Sequence, residues 1–148
     1  MTYLKTAFYL VAVIGLTPPA LDASQLLGDL TSPRSTVETL YQSIKQNRIE
    51  VFQQTLGGPA RDTYGNQDSF EYLRKQVPSY FPTINYKEVF RDEPRRVGEK
   101  GVSETEVLAA NIDLIPPRQM NLSVSCELTR LPDRLASDCR VTDMTDFY

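Results

Sequence analysis

Residues Ser32 to Leu56 read SPRSTVETLYQSIKQNRIEVFQQTL, and the reading of this stretch decides the fold. Ser32 before Pro33 fits an N-cap with a first-turn proline, and Ser35 with Glu38 fits the S-x-x-E capping box, so either start signal predicts nearly the same helix. Val37, Leu40, Tyr41 and Ile44 recur at i, i+3, i+4 and i+7, which places four apolar side chains on one stripe that needs a surface to cover it. Asn47 belongs to the few residue types that end a helix in the left-handed conformation. Ile49, Phe52 and Leu56 then resume a helical period until Gly57, Gly58 and Pro59 stop it. Two short helices therefore meet at a corner near Asn47.

Downstream the helical period persists and then gives way. Ala60 to Tyr64 predicts one further turn closed by Gly65, and Asp68 or Ser69 can cap a helix carrying Phe70, Leu73 and Val77 until Pro78 ends it. From there the apolar residues alternate, the sign of sheet, and four strands are expected. The first, Thr83 to Phe90, puts Ile84, Tyr86 and Phe90 on one face, and RDEPRRVGEKG after it reads as a solvated connection. The second runs from Ser103 to Ile115 with Leu108, Ala110, Ile112 and Leu114 as its apolar face, stopped by Pro116 and Pro117. In the third, Met120, Leu122, Val124, Cys126 and Leu128 alternate with Asn121, Ser123, Ser125, Glu127 and Thr129, the pattern of an antiparallel strand with one wet face. The fourth, Ala136 to Thr142, follows a turn at Leu131 to Arg134. This is an α+β order, with N-terminal helices packed on a curved four-stranded antiparallel sheet.

Upstream of the helices, Met1 to Ala23 reads as a signal peptide: Lys5 supplies a positive start, Ala7 to Leu16 an apolar run, and Pro18-Pro19 a break before small residues. The apolar run is shorter than the roughly twenty residues of a spanning helix, so cleavage after Ala23 or Ala20 is expected rather than an anchor. Residues 24 to 148 then form a single exported domain, periplasmic or secreted, with no stable membrane insertion after processing. Ser24 to Thr31 makes a short arm whose Leu26, Leu27 and Leu30 have helix-like spacing.

The chain has 148 residues, 24% charged and 41% hydrophobic, the composition of one globular domain. A net charge of −3 gives no reason to expect nucleic acid or an anionic membrane as partner. There is no histidine, which excludes Ser-His-Asp triads and histidine-based zinc sites. No metal or cofactor is expected.

Helices leading into a four-stranded meander, opening on SPRSTVETLYQSIKQNRIEVFQQTL, resemble the nuclear transport factor 2-like, or ketosteroid-isomerase-like, superfamily, which is grouped with the cystatin-like folds. In style the chain is similar to small exported bacterial members without an assigned activity. The resemblance implies a cone-shaped pocket between helices and sheet. Members of that superfamily include isomerases, dehydratases, hydrolases and non-catalytic binding domains, so fold alone does not decide function. Its enzymes usually place an Asp, His or Tyr in the pocket, and the histidine is missing here. Some subunits of type IV secretion machines share the cone, which makes an assembly module an alternative that requires a retained anchor. The leading expectation is a non-catalytic domain that binds a protein partner or a small apolar ligand, with a homodimer possible.

Glu88 is the candidate for chemistry. It falls in phase with Ile84 and Tyr86, so an unbroken strand would turn this carboxylate toward the apolar side, where desolvation would raise its pKa and suit it to proton transfer with a tyrosine as donor. The reading preferred to this one has a bulge after Tyr86 flip the strand, or sets Glu88 at an open rim. Glu106 shares the phase of Leu108 and Ala110, near a strand end. Tyr41, Tyr72 and Tyr86 offer phenolic donors, although tyrosines on helix stripes are more often core residues. Arg91, Arg95 and Arg96 are interleaved with Asp92, Glu93 and Glu99 and read as a hairpin tip in water. Asn121-Leu122-Ser123 fits a glycosylation acceptor inside a strand.

Cys126 and Cys139 are the only cysteines. If Pro132-Asp133 forms a two-residue turn, Leu131 faces Arg134, Thr129 faces Ala136, Glu127 faces Asp138, and Cys126 faces Cys139. In an exported chain such a directly opposed pair predicts a disulfide that pins the last two strands in register.

Overall fold

A computed structural model describes residues 28–147, the last two by their backbone alone. The expected signal peptide and the start of the arm after it lie outside the described residues. Four helices, α1 (Pro33–Lys45), α2 (Ile49–Thr55), α3 (Gly58–Tyr64) and α4 (Gln67–Gln76), precede four strands, β1 (Thr83–Asp92), β2 (Lys100–Asn111), β3 (Arg118–Arg130) and β4 (Leu135–Phe147). The strands form an antiparallel meander in the order β1-β2-β3-β4, open at both ends, so the chain is α+β with its helices N-terminal to the sheet.

Of the two start signals for α1, the earlier one caps it. The Ser32 hydroxyl accepts from the Ser35 backbone N–H at 3.1 Å, and the Ser35 hydroxyl accepts from the Ser32 N–H at 3.2 Å, with Pro33 at the first helical position. Asn47 has φ of 59°, as the corner requires. The glycines after α2 do more than stop a helix. Leu56 ends α2, Gly57 is already the N-cap of α3, and Pro59 sits in the first turn of α3. Asn66, rather than Asp68 or Ser69, caps α4, its side chain accepting from the Ser69 N–H at 2.8 Å.

The α1 stripe packs as its spacing requires. Val37, Leu40 and Ile44 are buried with Phe52, Leu56, Phe70 and Leu73 of the other helical segments against Met120, Leu122, Val124, Cys126 and Leu128 of β3 and Cys139, Val141 and Met144 of β4. Phe52 and Phe70 meet with ring centroids 5.0 Å apart and tilted planes. The helices thus lie over the β3–β4 half of one sheet face, and the free edge of β4 is covered as well. Leu30 accepts from the Cys139 N–H at 2.7 Å, and Gly57 donates to the Val141 carbonyl at 2.9 Å.

Two strand readings are corrected. In β2 the buried residues are Ser103, Thr105, Val107, Ala109 and Asn111, the phase opposite to the expected Leu108, Ala110, Ile112 and Leu114. The reason is register: Val107 opposes Leu122 and Ala109 opposes Met120, and directly opposed residues share a face, so the strong alternation of β3 decides the phase of β2. The strand also ends at Asn111, leaving Ile112 to Pro117 in the loop. In β1 a bulge between Glu88 and Phe90 makes Val89 the extra residue, and Phe90 opposes Glu104 on the uncovered face rather than joining Ile84 and Tyr86. Strand β4 is longer than expected because a second bulge, at Thr142, lets pairing with β3 continue as far as Gln119 with Phe147.

The β3–β4 register is the expected one. Leu131 donates to the Arg134 carbonyl at 2.9 Å, Glu127 faces Asp138, and Cys126 is bonded to Cys139 with Cα atoms 3.9 Å apart. The Cys139 N–H goes to Leu30 and its carbonyl accepts from the Thr36 hydroxyl, so both backbone groups point away from β3. The cysteines therefore form a non-hydrogen-bonded pair, the kind in which opposed strands approach most closely.

Candidate binding cleft

At the end of the sheet where β1 begins, the covering is incomplete. The last turn of α1, the last turn of α4 and the Val77 to Phe81 connection leave an open cleft of about 300 Å³ above Ile84. Its wall is apolar, made by Ile44, Val77, Phe81 and Ile84. Its polar groups are Tyr41, Gln42, Lys45, Arg74 and Ser79, and no carboxylate lines it among the described residues. Apolar walls with a few orienting polar groups are the usual composition of a ligand site, and the volume lies at the small end of that range.

Tyr41 is the central side chain. Its position on the α1 stripe turns it toward β1, where Phe81 stacks on its ring at 5.4 Å between centroids. Its hydroxyl reaches only the thioether of Met120, at 4.0 Å, the one hydrogen-bond partner it has among the described residues. Burial, with the neighbouring Tyr86 phenol adding to it, holds the Tyr41 phenol well above its ordinary pKa, so it stays protonated and able to donate a hydrogen bond. Tyr86 follows on β1 under the Arg34 guanidinium, which stands 4.3 Å from its ring centroid. Burial raises the Tyr86 pKa and the charge of Arg34 opposes the rise.

Glu88 lies two residues further along the same face and in phase, as an unbroken strand requires, because the bulge comes after it. It is at the rim. Its carboxylate accepts from the Ser103 hydroxyl at 2.8 Å and from Arg91 at 3.2 Å, and the side chain is exposed. The Ser103 hydrogen bond first, and Arg91 after it, hold the carboxyl below its ordinary value, the opposite of the raised pKa that a desolvated base would show. Glu106 is exposed on the far face of β2. Tyr72 is on the other side of α4, beside a second, mainly apolar groove of about 350 Å³ shared with Tyr64, Leu73, Met120 and Met144. The structure thus sets Tyr86 near Tyr41, of the two only Tyr41 lining the cleft, and leaves Tyr72 and Glu88 apart from it.

Phe81, Lys45 and Arg74 escaped the sequence reading. Phe81 follows a proline in a connection with no periodicity, and the two cations lie in last helical turns, where basic residues are ordinary complements of the helix dipole. The hairpin tip between β1 and β2 is a closed electrostatic network in water: Glu99 accepts from the backbone N–H groups of Arg95 and Arg96, and Arg130 reaches Glu93 at 3.1 Å. Asn121 is exposed on the uncovered face of β3.

Comparison of the chain with protein-family models, with curated proteins and with solved structures finds no match.

Proposed function

We propose that the chain is an exported, non-catalytic binding domain that holds a small apolar ligand bearing a hydrogen-bond acceptor in the cleft between α1, α4 and β1. The observation that carries this reading is the Tyr41 hydroxyl. A largely buried O–H left with a weak thioether partner forfeits hydrogen-bond energy that an acceptor entering the cleft would restore. Phe81 and Ile84 supply the apolar contact and the phenol supplies orientation. Export is supported by the leader at Met1 to Ala23 and by the Cys126–Cys139 bond, which persists in oxidising compartments. No helix among the described residues is long and apolar enough to cross a membrane. The resemblance to the nuclear transport factor 2-like superfamily belongs to the same proposal, supported by the helices-then-meander order.

The test compares acetophenone with ethylbenzene, similar in shape but differing in the acceptor carbonyl, by chemical-shift perturbation in the native protein. Acetophenone should perturb Tyr41, Ile44 and Ile84 and bind more tightly, and Tyr41→Phe should reduce its affinity roughly threefold to tenfold while leaving ethylbenzene unchanged. Perturbations confined to the groove beside Tyr72, or an equal loss for both probes, would refute the assignment.

A further inference from the structure

The loop joining β2 to β3, Ile112-Asp113-Leu114-Ile115-Pro116-Pro117, presents apolar side chains to water. Ile115 is 99% exposed and Ile112 78% exposed. Tyr80, 67% exposed, is tied to the same place, because the Asn111 amide donates to the Tyr80 carbonyl at 2.8 Å. Asn111 also accepts from the Asp113 N–H at 3.1 Å, so one buried side chain organises the base of the tip from both sides. Scattered single apolar residues on a surface need no explanation, but two in one loop with a third on the segment tied to its base do.

We infer that this tip is a membrane-docking element, in which Ile112, Ile115 and Tyr80 enter the interfacial layer of a lipid surface. Ile115, at 99% exposure, has almost no neighbouring surface to form a floor on which a peptide could lie, whereas a lipid surface deforms around such a side chain. Isoleucine supplies apolar area, and tyrosine has the amphipathic ring suited to the headgroup level. Charge agrees. The chain as a whole is acidic, but the cleft that opens beside Tyr80, between Ser79 and Phe81, carries Lys45, which has no carboxylate partner among the described residues, and Arg74, which Glu71 holds at 3.1 Å, so this end offers Lys45 as a cation to lipid phosphates. Asp113 is the one acid on the tip. The contact is interfacial and reversible, distinct from the spanning or anchored insertion that the length of Ala7 to Leu16 argues against.

The chain has no tryptophan, so a single one reports its own surroundings. Ile115→Trp is made in the full chain, and Val97→Trp at the opposite, charged hairpin tip is the control. Because the run Ala7 to Leu16 is apolar enough to meet lipid by itself, the reading is taken from the local fluorescence of each site. With vesicles of phosphatidylethanolamine and phosphatidylglycerol, Ile115→Trp emission should move to the blue and become shielded from iodide, while Val97→Trp emission stays that of water. Far-UV circular dichroism of both tryptophan variants should stay native. Emission from Ile115→Trp that vesicles leave unchanged would overturn the inference. So would a blue shift that grows with protein concentration in the absence of vesicles, which would make the tip a contact between copies of the chain. Binding of acetophenone in the cleft is independent of both outcomes.

Discussion

Replacing both cysteines, Cys126→Ala with Cys139→Ala, removes the covalent tie between β3 and β4, and the size of the loss follows from the sequence separation of 13 residues. In the chain-entropy account, closing a loop of about 14 residues withholds about 10 cal/mol/K from the unfolded ensemble, about 3 kcal/mol near room temperature. Both side chains are buried in the main core, so truncation adds a packing loss to that figure rather than reducing it. With about 2.1 cal/mol/K of unfolding entropy per residue over roughly 120 residues, 3 kcal/mol corresponds to a fall of about 12 °C in Tm. The assay is thermal unfolding followed by far-UV circular dichroism, run on the double variant and on the native protein with and without reductant. The native protein in reductant should fall by about 12 °C and still melt above the variant, which carries the packing loss as well, and without reductant thiol titration after unfolding should find no free cysteine. A variant that melts within about 3 °C of the oxidised protein would refute the reasoning, because the loop-closure entropy would then not be contributing.

Glu88→Gln should leave the melting temperature at neutral pH where it was, since the carboxylate is an exposed rim group, and a pronounced fall would contradict that placement. Ser103→Ala should raise the Glu88 pKa toward its ordinary value in a carbon-13 NMR titration, because the Ser103 hydroxyl is the largest cause of its depression. The Tyr41 phenol, held above its ordinary 10.0 by burial, contributes stability that is complete below pH 10 and is lost as pH rises toward its folded value. Alkaline denaturation should accordingly begin at higher pH for Tyr41→Phe, and an unchanged onset would count against the burial of that hydroxyl. Leu40→Ala, at the fully buried centre of the α1 stripe, should cost about 2–5 kcal/mol in urea unfolding. Asn47→Val, which sets a β-branched residue at φ of 59°, should cost about 1–2 kcal/mol by the same measurement.

What local chemistry dictates was legible in the linear order of residues. The Ser32 cap, the α1 stripe, the left-handed corner at Asn47, the alternation of β3 and the tight turn at Pro132-Asp133 each depend on neighbours within a few positions. That is why the Cys126–Cys139 pairing could be counted out from the turn. The phase of β2 was not legible, because its buried side carries Ser103, Thr105 and Asn111 while its open side carries Leu108 and Ala110; only pairing with β3 decides which side faces the helices. The bulge at Val89 likewise arises from register between two strands and leaves no mark in composition. The cleft around Tyr41 and the exposed tip at Ile115 both follow from where the helices stop covering the sheet. That boundary is set by helix lengths and crossing directions, long-range quantities that no window of residues encodes.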